Sequence, residues 1–353
     1  MEVGQGNMGA RHDAEGWIGV SETAQEMLGR TLIERPCLIA VPPLHRVPLR
    51  PGNVVELVGP SASAKSEILL QAAINCILPN VCNGVFFGGM QRLVMYFDLD
   101  CSFDVQRFSN SLKKRIADAC GNSTFTFGGN QRLLEDLDPL AEQLHFNEDV
   151  YFSCMRRFSY IRCYNSYEFL ASLKTIRRQM QKESEAHGVG VLYLMIDSIS
   201  AFYWTDRASS MWATGGNRNC LSFRSVTEAV IQEIRKLLDV LPVLVLATKA
   251  TILGVGSSAC ENDRNTFQGA SSGSINSNKS YGSHNRAGFD LYKEYMPLAW
   301  QALVTQQVLL QVKGDNIVRD EKSLPIYMST WLLPVLNLSD MFVVEEAGIS
   351  LLS

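Results

Sequence analysis

Apolar runs of strand length alternate along this chain with longer stretches in which apolar side chains recur every three or four residues. That alternation predicts a parallel sheet covered by helices. Val54–Val58 reads as the first strand, after the turn at Pro51-Gly52, and a helix over about Lys65–Ile77 follows it until Pro79. Leu93–Phe97 reads as a second buried strand, and Phe108, Leu112, Ile116 and Ala119 share one face of a helix over Phe103–Cys120. Further strands are read at Tyr160–Tyr164, Val191–Ile196 and Val243–Ala247. Leu170, Leu173, Ile176 and Met180 mark a helix over Ser166–His187, closed by Gly188, and Val230, Ile234, Leu237 and Leu238 mark another over about Ser225–Asp239. The expected fold is therefore α/β, a mostly parallel sheet flanked by helices. Leu303–Val312 and Met341–Val344 are expected as late strands added antiparallel at the sheet edge.

The stretches without periodicity divide the chain. Residues 1–50 read as an arm or linker, 51–315 as the core, and 316–353 as a C-terminal tail with one candidate edge strand. Within the core, 121–150 reads as an insertion of low regularity. Residues 254–288, rich in Ser, Gly and Asn, read as a mobile loop too polar to join the core.

Composition narrows the class. Of 353 residues, 46% are hydrophobic and 19% charged, which fits a globular chain and excludes a disordered one. Thirty-two basic against 36 acidic residues give a net charge of -4, so any nucleic-acid contact must be local. The longest apolar runs, Val189–Ile196 and Leu241–Ala247, fall far short of the ~20 residues that cross a bilayer. No membrane partner is expected. The first residues lack the apolar core of a secretory signal, so the nine cysteines are expected to be reduced, and none has the spacing of a zinc site.

The candidate chemistry lies where the first strand runs into Gly59, Pro60, Ser61, Ala62, Ser63, Ala64, Lys65 and Ser66, and then into a helix. Strand, small-residue loop and helix form the setting in which backbone N–H groups curl around phosphate oxygens at a positive helix end. Lys65 would reach the β- and γ-phosphates, Ser66 would bind a magnesium ion through its hydroxyl, and Asp197 at the end of a buried strand would supply that ion's carboxylate. One residue departs from the usual pattern: Ala64 stands where glycine normally precedes the lysine, so a Cβ sits where backbone approaches phosphate. A carboxylate that orients the attacking water would have to come from Asp98 or Asp100, after the second strand.

With these residues in place the chain resembles the RecA-like recombinases. The segments IDSISAFYWTDR (196–207), CILP (76–79), DLDCSFDVQR (98–107) and AWQALV (299–304) resemble more narrowly a eukaryotic recombinase paralogue, over roughly residues 50–312. The resemblance implies ATP and magnesium as cofactors, a nuclear role in homologous-recombination repair of broken or crosslinked DNA, and other recombinase paralogues as partners in a hetero-oligomeric complex. Lys65 and Ser66 match the family's nucleotide loop and Asp197 its magnesium aspartate. Asp100 stands where active members carry a catalytic glutamate one methylene longer, and Ala250 where they carry a glutamine that senses the γ-phosphate. With Ala64, these departures point to nucleotide binding with little or no hydrolysis. Residues 1–58 contain no Phe-x-x-Ala, the peptide by which recombinases polymerise, and the small helical domain that precedes the core in the family is not expected here, so neither is a self-assembled filament.

In the family the loops after the fourth and fifth core strands face DNA. The matching stretches here are about Trp204–Arg224 and Leu253–Arg286, and the first carries Arg207, Arg218 and Arg224 near Tyr203, Trp204 and Trp212. That composition suits single-stranded or branched DNA, reached directly or through the complex. The competing readings are an active single-stranded-DNA-dependent ATPase and, with nothing beyond the loop in its favour, a small-molecule phosphotransferase.

Overall fold

The computed structural model describes residues 23–34, 38, 41–121, 148–212, 223–253, 292–319, 322–346 and 348–352. In chain order the helices are α1 (Ala24–Glu34), α2 (Lys65–Ile77), α3 (Val105–Gly121), α4 (148–155), α5 (Ser166–His187), α6 (Tyr203–Trp212), α7 (Phe223–Val240) and α8 (Leu298–Gln301). The strands are β1 (Val54–Gly59), β2 (Val81–Cys82), β3 (Val85–Phe86), β4 (Leu93–Asp98), β5 (Phe158–Arg162), β6 (Val191–Asp197) and β7 (Leu244–Ala250). They continue with β8 (Ile252–Leu253), β9 (Tyr292–Lys293), β10 (Gln306–Arg319), β11 (Lys322–Leu333), β12 (Ser339–Glu345) and β13 (Gly348–Leu352).

Nine strands form one sheet in the order β13-β12-β11-β10-β1-β7-β6-β4-β5. From β10 to β5 all neighbours are parallel, while β11, β12 and β13 add antiparallel at the far side. Strands covered on both faces read as continuous apolar runs, which is why β1, β4, β6 and β7 were legible. Successive residues of each strand serve opposite cores. Leu57, Tyr96, Met195 and Leu246 pack under α2 and α3 with Ile68, Phe108 and Leu112. On the other face Phe97, Ile196 and Val245 pack under α5 and α7 with Phe169, Ile176 and Ile234. Helix α5 starts on an N-cap in which the Asn165 side chain accepts from the Glu168 amide, and ends on Gly188 with φ of 66°.

Two expectations change. The strand read at Leu303–Val312 is β10, which runs parallel to β1 rather than antiparallel, with Val55 opposite Gln306. The boundary drawn at 315 falls inside β10, and the expected tail holds the end of β10 and three further sheet strands. Their sequences hid this because they lie toward the sheet margin, where many of their residues meet water on one face and apolar runs break up. The arm before the core is partly docked: Leu38 bridges Leu49, and Arg46 forms an ion pair with Asp340 of β12. Most of the insertion and the whole of the polar loop at 254–288 lie outside the described residues, although 148–155 is helical. Among the described residues no helix is long and apolar enough to cross a membrane.

Candidate nucleotide-binding site

Parallel register brings the C-terminal ends of four strands into one row. Leu57 of β1 lies opposite Thr248 of β7, Ile196 of β6 opposite Ala247, and Asp197 of β6 opposite Asp98 of β4. The loop Gly59–Ser66 leaves β1 at the top of this row and enters α2 at Lys65.

The loop curls only because Gly59 has no side chain. A Cβ there would lie 2.3 Å from Ser63 Oγ and 2.5 Å from the Leu310 carbonyl oxygen. Ser63 is buried and donates to the Pro60 carbonyl at 2.9 Å, closing the turn, while Ser61 and Ala62 are exposed. Ala64 takes the left-handed conformation, φ 62° and ψ 18°, at the position where the sequence pattern calls for glycine. It gives α2 no side-chain cap, so the first amides of the helix face the loop without a protein acceptor of that kind.

Lys65 is buried and folded back into the loop, with Nζ 2.9 Å from the Gly59 carbonyl oxygen, 2.6 Å from that of Pro60 and 3.3 Å from Ser63 Oγ. Burial pulls its pKa down, and the nearby Asp197 and Asp100 carboxylates oppose that pull. Ser66, on the first turn of α2, is exposed and able to meet a cation.

Asp197 is buried, with Oδ2 accepting from the Tyr96 phenol at 2.7 Å and Oδ1 from the Thr248 hydroxyl. Tyr96 and Thr248 escaped the sequence reading. A signal for them exists: each is a polar group that falls in step with the apolar residues on the α2 face of its strand, Val94 in β4 and Leu244 and Leu246 in β7. The Tyr96 phenol is pushed up, first by burial and then by the Asp197 charge, so it stays a donor. Two such donors fix the carboxylate while leaving it lone pairs for a hydrated cation. The small-residue cradle, its lysine, the exposed Ser66 hydroxyl and the oriented Asp197 fit a magnesium-bound polyphosphate. Among the described residues there is no cluster of three or more His, Cys, Asp or Glu that could hold a metal ion.

The two carboxylates after β4 separate. Asp98 is fully buried and spent on structure: it accepts from the Tyr160 phenol at 2.7 Å and the Ser102 amide at 3.1 Å, and Arg162 lies 3.5 Å away. Asp100 is exposed beyond the strand end. Its Oδ1 accepts from the Ser102 amide at 3.1 Å and the Ser102 hydroxyl at 2.6 Å. Partial desolvation beside neighbouring protein atoms raises the pKa of its carboxyl, while the Ser102 hydrogen bonds oppose the rise.

A cleft of about 840 Å³ opens beside the first turn of α2, between α3 and the β10–β11 and β12–β13 hairpins. Arg107 on its wall pairs with buried Glu67 at 2.6 Å, and Arg319 pairs with Glu345 at 2.6 Å. No single motif announces this cleft, because its walls come from four separate segments.

At the same sheet edge β7 ends in Lys249 and Ala250. Lys249 is fully buried, with Nζ 2.8 Å from Glu56 Oε2 and 2.7 Å from Glu294 Oε2. The other Glu56 oxygen accepts from the Trp300 indole at 2.6 Å, and Gln307 donates to the first. Trp300 is thus a packing residue with a polar partner, and this network was not foreseen in the sequence.

Of the expected DNA-contact residues, Arg207 lies on α6, which is a helix rather than a loop over 203–212. Its Nη1 donates to the Tyr203 phenol at 3.1 Å and its guanidinium lies 5.9 Å over the exposed Trp204 ring. Arg224 lies in the first turn of α7, and Arg218 is outside the described residues.

No family profile matches the chain. It is similar to a DNA repair protein XRCC2 homolog of Arabidopsis thaliana, 43% identical over 341 residues that cover 95% of this chain and 89% of that protein. It is also similar to the DNA repair protein XRCC2 of Mus musculus, 24% identical over 298 residues and 84% of each chain.

Proposed function

The chain belongs to the XRCC2 family of DNA repair proteins, and from that membership we propose that it is an ATP-binding recombinase-paralogue subunit of homologous recombination. It acts in the nucleus by assembling with other recombinase paralogues at breaks and crosslinks, with single-stranded or branched DNA reached directly or through that complex. The observation that carries the reading is Lys65, held inside a curled small-residue loop beside a doubly oriented Asp197.

In this reading the loop amides and the N-terminus of α2 bind the phosphates, and Lys65, which has three N–H donors, reaches the β- and γ-phosphates from its seat on the Gly59 and Pro60 carbonyls. Ser66 and Asp197 hold magnesium, which neutralises phosphate charge when bound. The cleft beside Glu67 and Arg107 takes the nucleoside end. Hydrolysis is weak because the groups that would serve it are short or engaged. Asp100 is committed to Ser102 through one oxygen, Asp98 is consumed by Tyr160 and Ser102, and Ala250 has no polar side chain.

The test is single-stranded-DNA-stimulated ATP turnover by the purified chain, with Lys65→Ala as the blank. Turnover no higher than the blank, with ATP still bound, supports an assembly subunit. Turnover well above it would favour the active DNA-dependent ATPase, with Asp100 orienting water.

A further inference from the structure

Along α3 the residues Arg107, Asn110, Ser111 and Lys114 fall at helical spacing on one face, and all four line the cleft beside α2. Arg107 stands at one end of this stripe, paired with Glu67 of α2. Lys114 stands at the other, about 10 Å further along the helix. The facing wall is built by the β10–β11 and β12–β13 hairpins, and from it Glu346 reaches across. Its Oε1 accepts from Lys322 of its own wall at 2.6 Å, and its Oε2 accepts from Lys114 of α3 at 3.3 Å. One carboxylate thus joins the two walls, about a nucleoside's length from Arg107.

The backbone beneath this bridge is seated, whereas the bridge itself is loose. Gly348 has φ of 146°, and a Cβ there would lie 3.0 Å from Gln71 Oε1 of α2, so the chain rests on that helix where only glycine fits. Glu346 and Lys114 are 66% and 43% exposed, so their pair breaks by side-chain rotation with the backbone at rest. Opening leaves Glu346 its Lys322 partner and strands no charge. The Lys322 and Lys114 ammonium groups hold the Glu346 carboxyl below its ordinary range, which keeps it ionised at physiological pH. The neighbouring pair Arg319–Glu345 links β10 to β12 within one wall and spans nothing.

We infer that the Lys114–Glu346 pair is a strap across the cleft that gates the entry and release of nucleotide. The inference rests on the nucleotide reading above, which puts the nucleoside between Arg107 and this pair. The strap joins wall to wall and forms over an empty cleft and a filled one alike. It therefore slows entry and release by the same factor and leaves the affinity unchanged, since only a differential interaction with the two states shifts an equilibrium. That signature separates a gate from a ligand contact, whose loss speeds release and weakens binding together. An exposed ion pair is also screened by salt, so the gate loosens as ionic strength rises.

The experiment is stopped-flow association and dissociation of N-methylanthraniloyl-ATP with magnesium on the full chain, with the affinity for unlabelled ATP measured by calorimetry. Lys114→Gln is expected to raise both rate constants by about two- to five-fold, the range open to an exposed pair, with affinity within about two-fold of wild type. High salt should speed wild type toward the rates of the variant and change the variant less. Lys114→Gln combined with Glu346→Gln should exchange no faster than Lys114→Gln alone, because the pair is already gone. Unchanged rates in a folded Lys114→Gln would overturn the strap, as would faster release with affinity lost in proportion, which would make Lys114 a ligand contact. Absence of binding by wild type would instead overturn the nucleotide reading, and the strap with it.

Discussion

Asp98 and Asp197 lie directly opposite each other at the ends of adjacent parallel strands, both buried, yet their partners differ in kind. Asp98 is joined to β5 through the Tyr160 phenol and the Arg162 guanidinium, whereas Asp197 accepts from two neutral hydroxyls, Tyr96 of β4 and Thr248 of β7, which can turn to suit an amide. The account therefore predicts opposite phenotypes. Asp98→Asn should lower stability by about 1–3 kcal/mol in urea unfolding, as expected when a buried charged acceptor is lost, with nucleotide affinity kept. Asp197→Asn should keep most of its stability and lose the magnesium dependence of ATP binding, read by titration with and without EDTA.

Ala64 shows how a local departure has a local consequence. Left-handed backbone at a residue with a Cβ costs about 1–2 kcal/mol, but glycine returns part of that through the entropy of its unfolded chain. Ala64→Gly should therefore change the melting temperature little or raise it slightly, and should tighten nucleotide binding by relieving crowding at the loop. Weaker binding by a folded Ala64→Gly would contradict this.

The buried network predicts non-additive energetics. Lys249→Met leaves Glu56 and Glu294 without their shared cation and should cost about 3–5 kcal/mol. Glu56→Gln in the same background should cost clearly less than it does alone, because the charge it removes is already unpaired. Urea unfolding of the four proteins of the cycle provides the check.

The fold was legible where chemistry and periodicity coincide. Lys65–Ile77 and Ser166–His187 match their helices to the residue, since Pro79 follows the first closely and Gly188 closes the second. The placement of the small-residue loop between β1 and α2, and of Asp197 at the end of β6, was legible because the first spans contiguous residues and the second closes an apolar run. Glu56 was not, since a glutamate inside VVELVG signals nothing until the fold brings Lys249 beside it from 193 positions away. The loop expected over about Trp204–Arg224 instead opens with the helix Tyr203–Trp212, which polar residues and the Gly-rich sequence beyond Trp212 mask and which contacts such as Tyr203 with Tyr295 support.

Weak hydrolysis is predicted to be repairable only in part. Asp100→Glu combined with Ala250→Gln supplies the longer carboxylate and a polar side chain at the end of β7. It should raise ATP turnover by about 10–100-fold over wild type, the range expected when a reacting group is moved by about 1 Å. No gain in a variant that still binds ATP would show that the turn at Asp100–Ser102 keeps the carboxylate from the site.

The central claim is that the Gly59–Ser66 loop binds ATP through Lys65. Calorimetric titration of the purified chain with ATP and magnesium, beside Lys65→Ala of equal helicity and melting behaviour, tests it most directly. The account predicts saturable one-to-one binding by wild type and at least a hundred-fold weaker binding by the variant, about 2.7 kcal/mol. Equal affinities in the two proteins, or no binding in either, would contradict it.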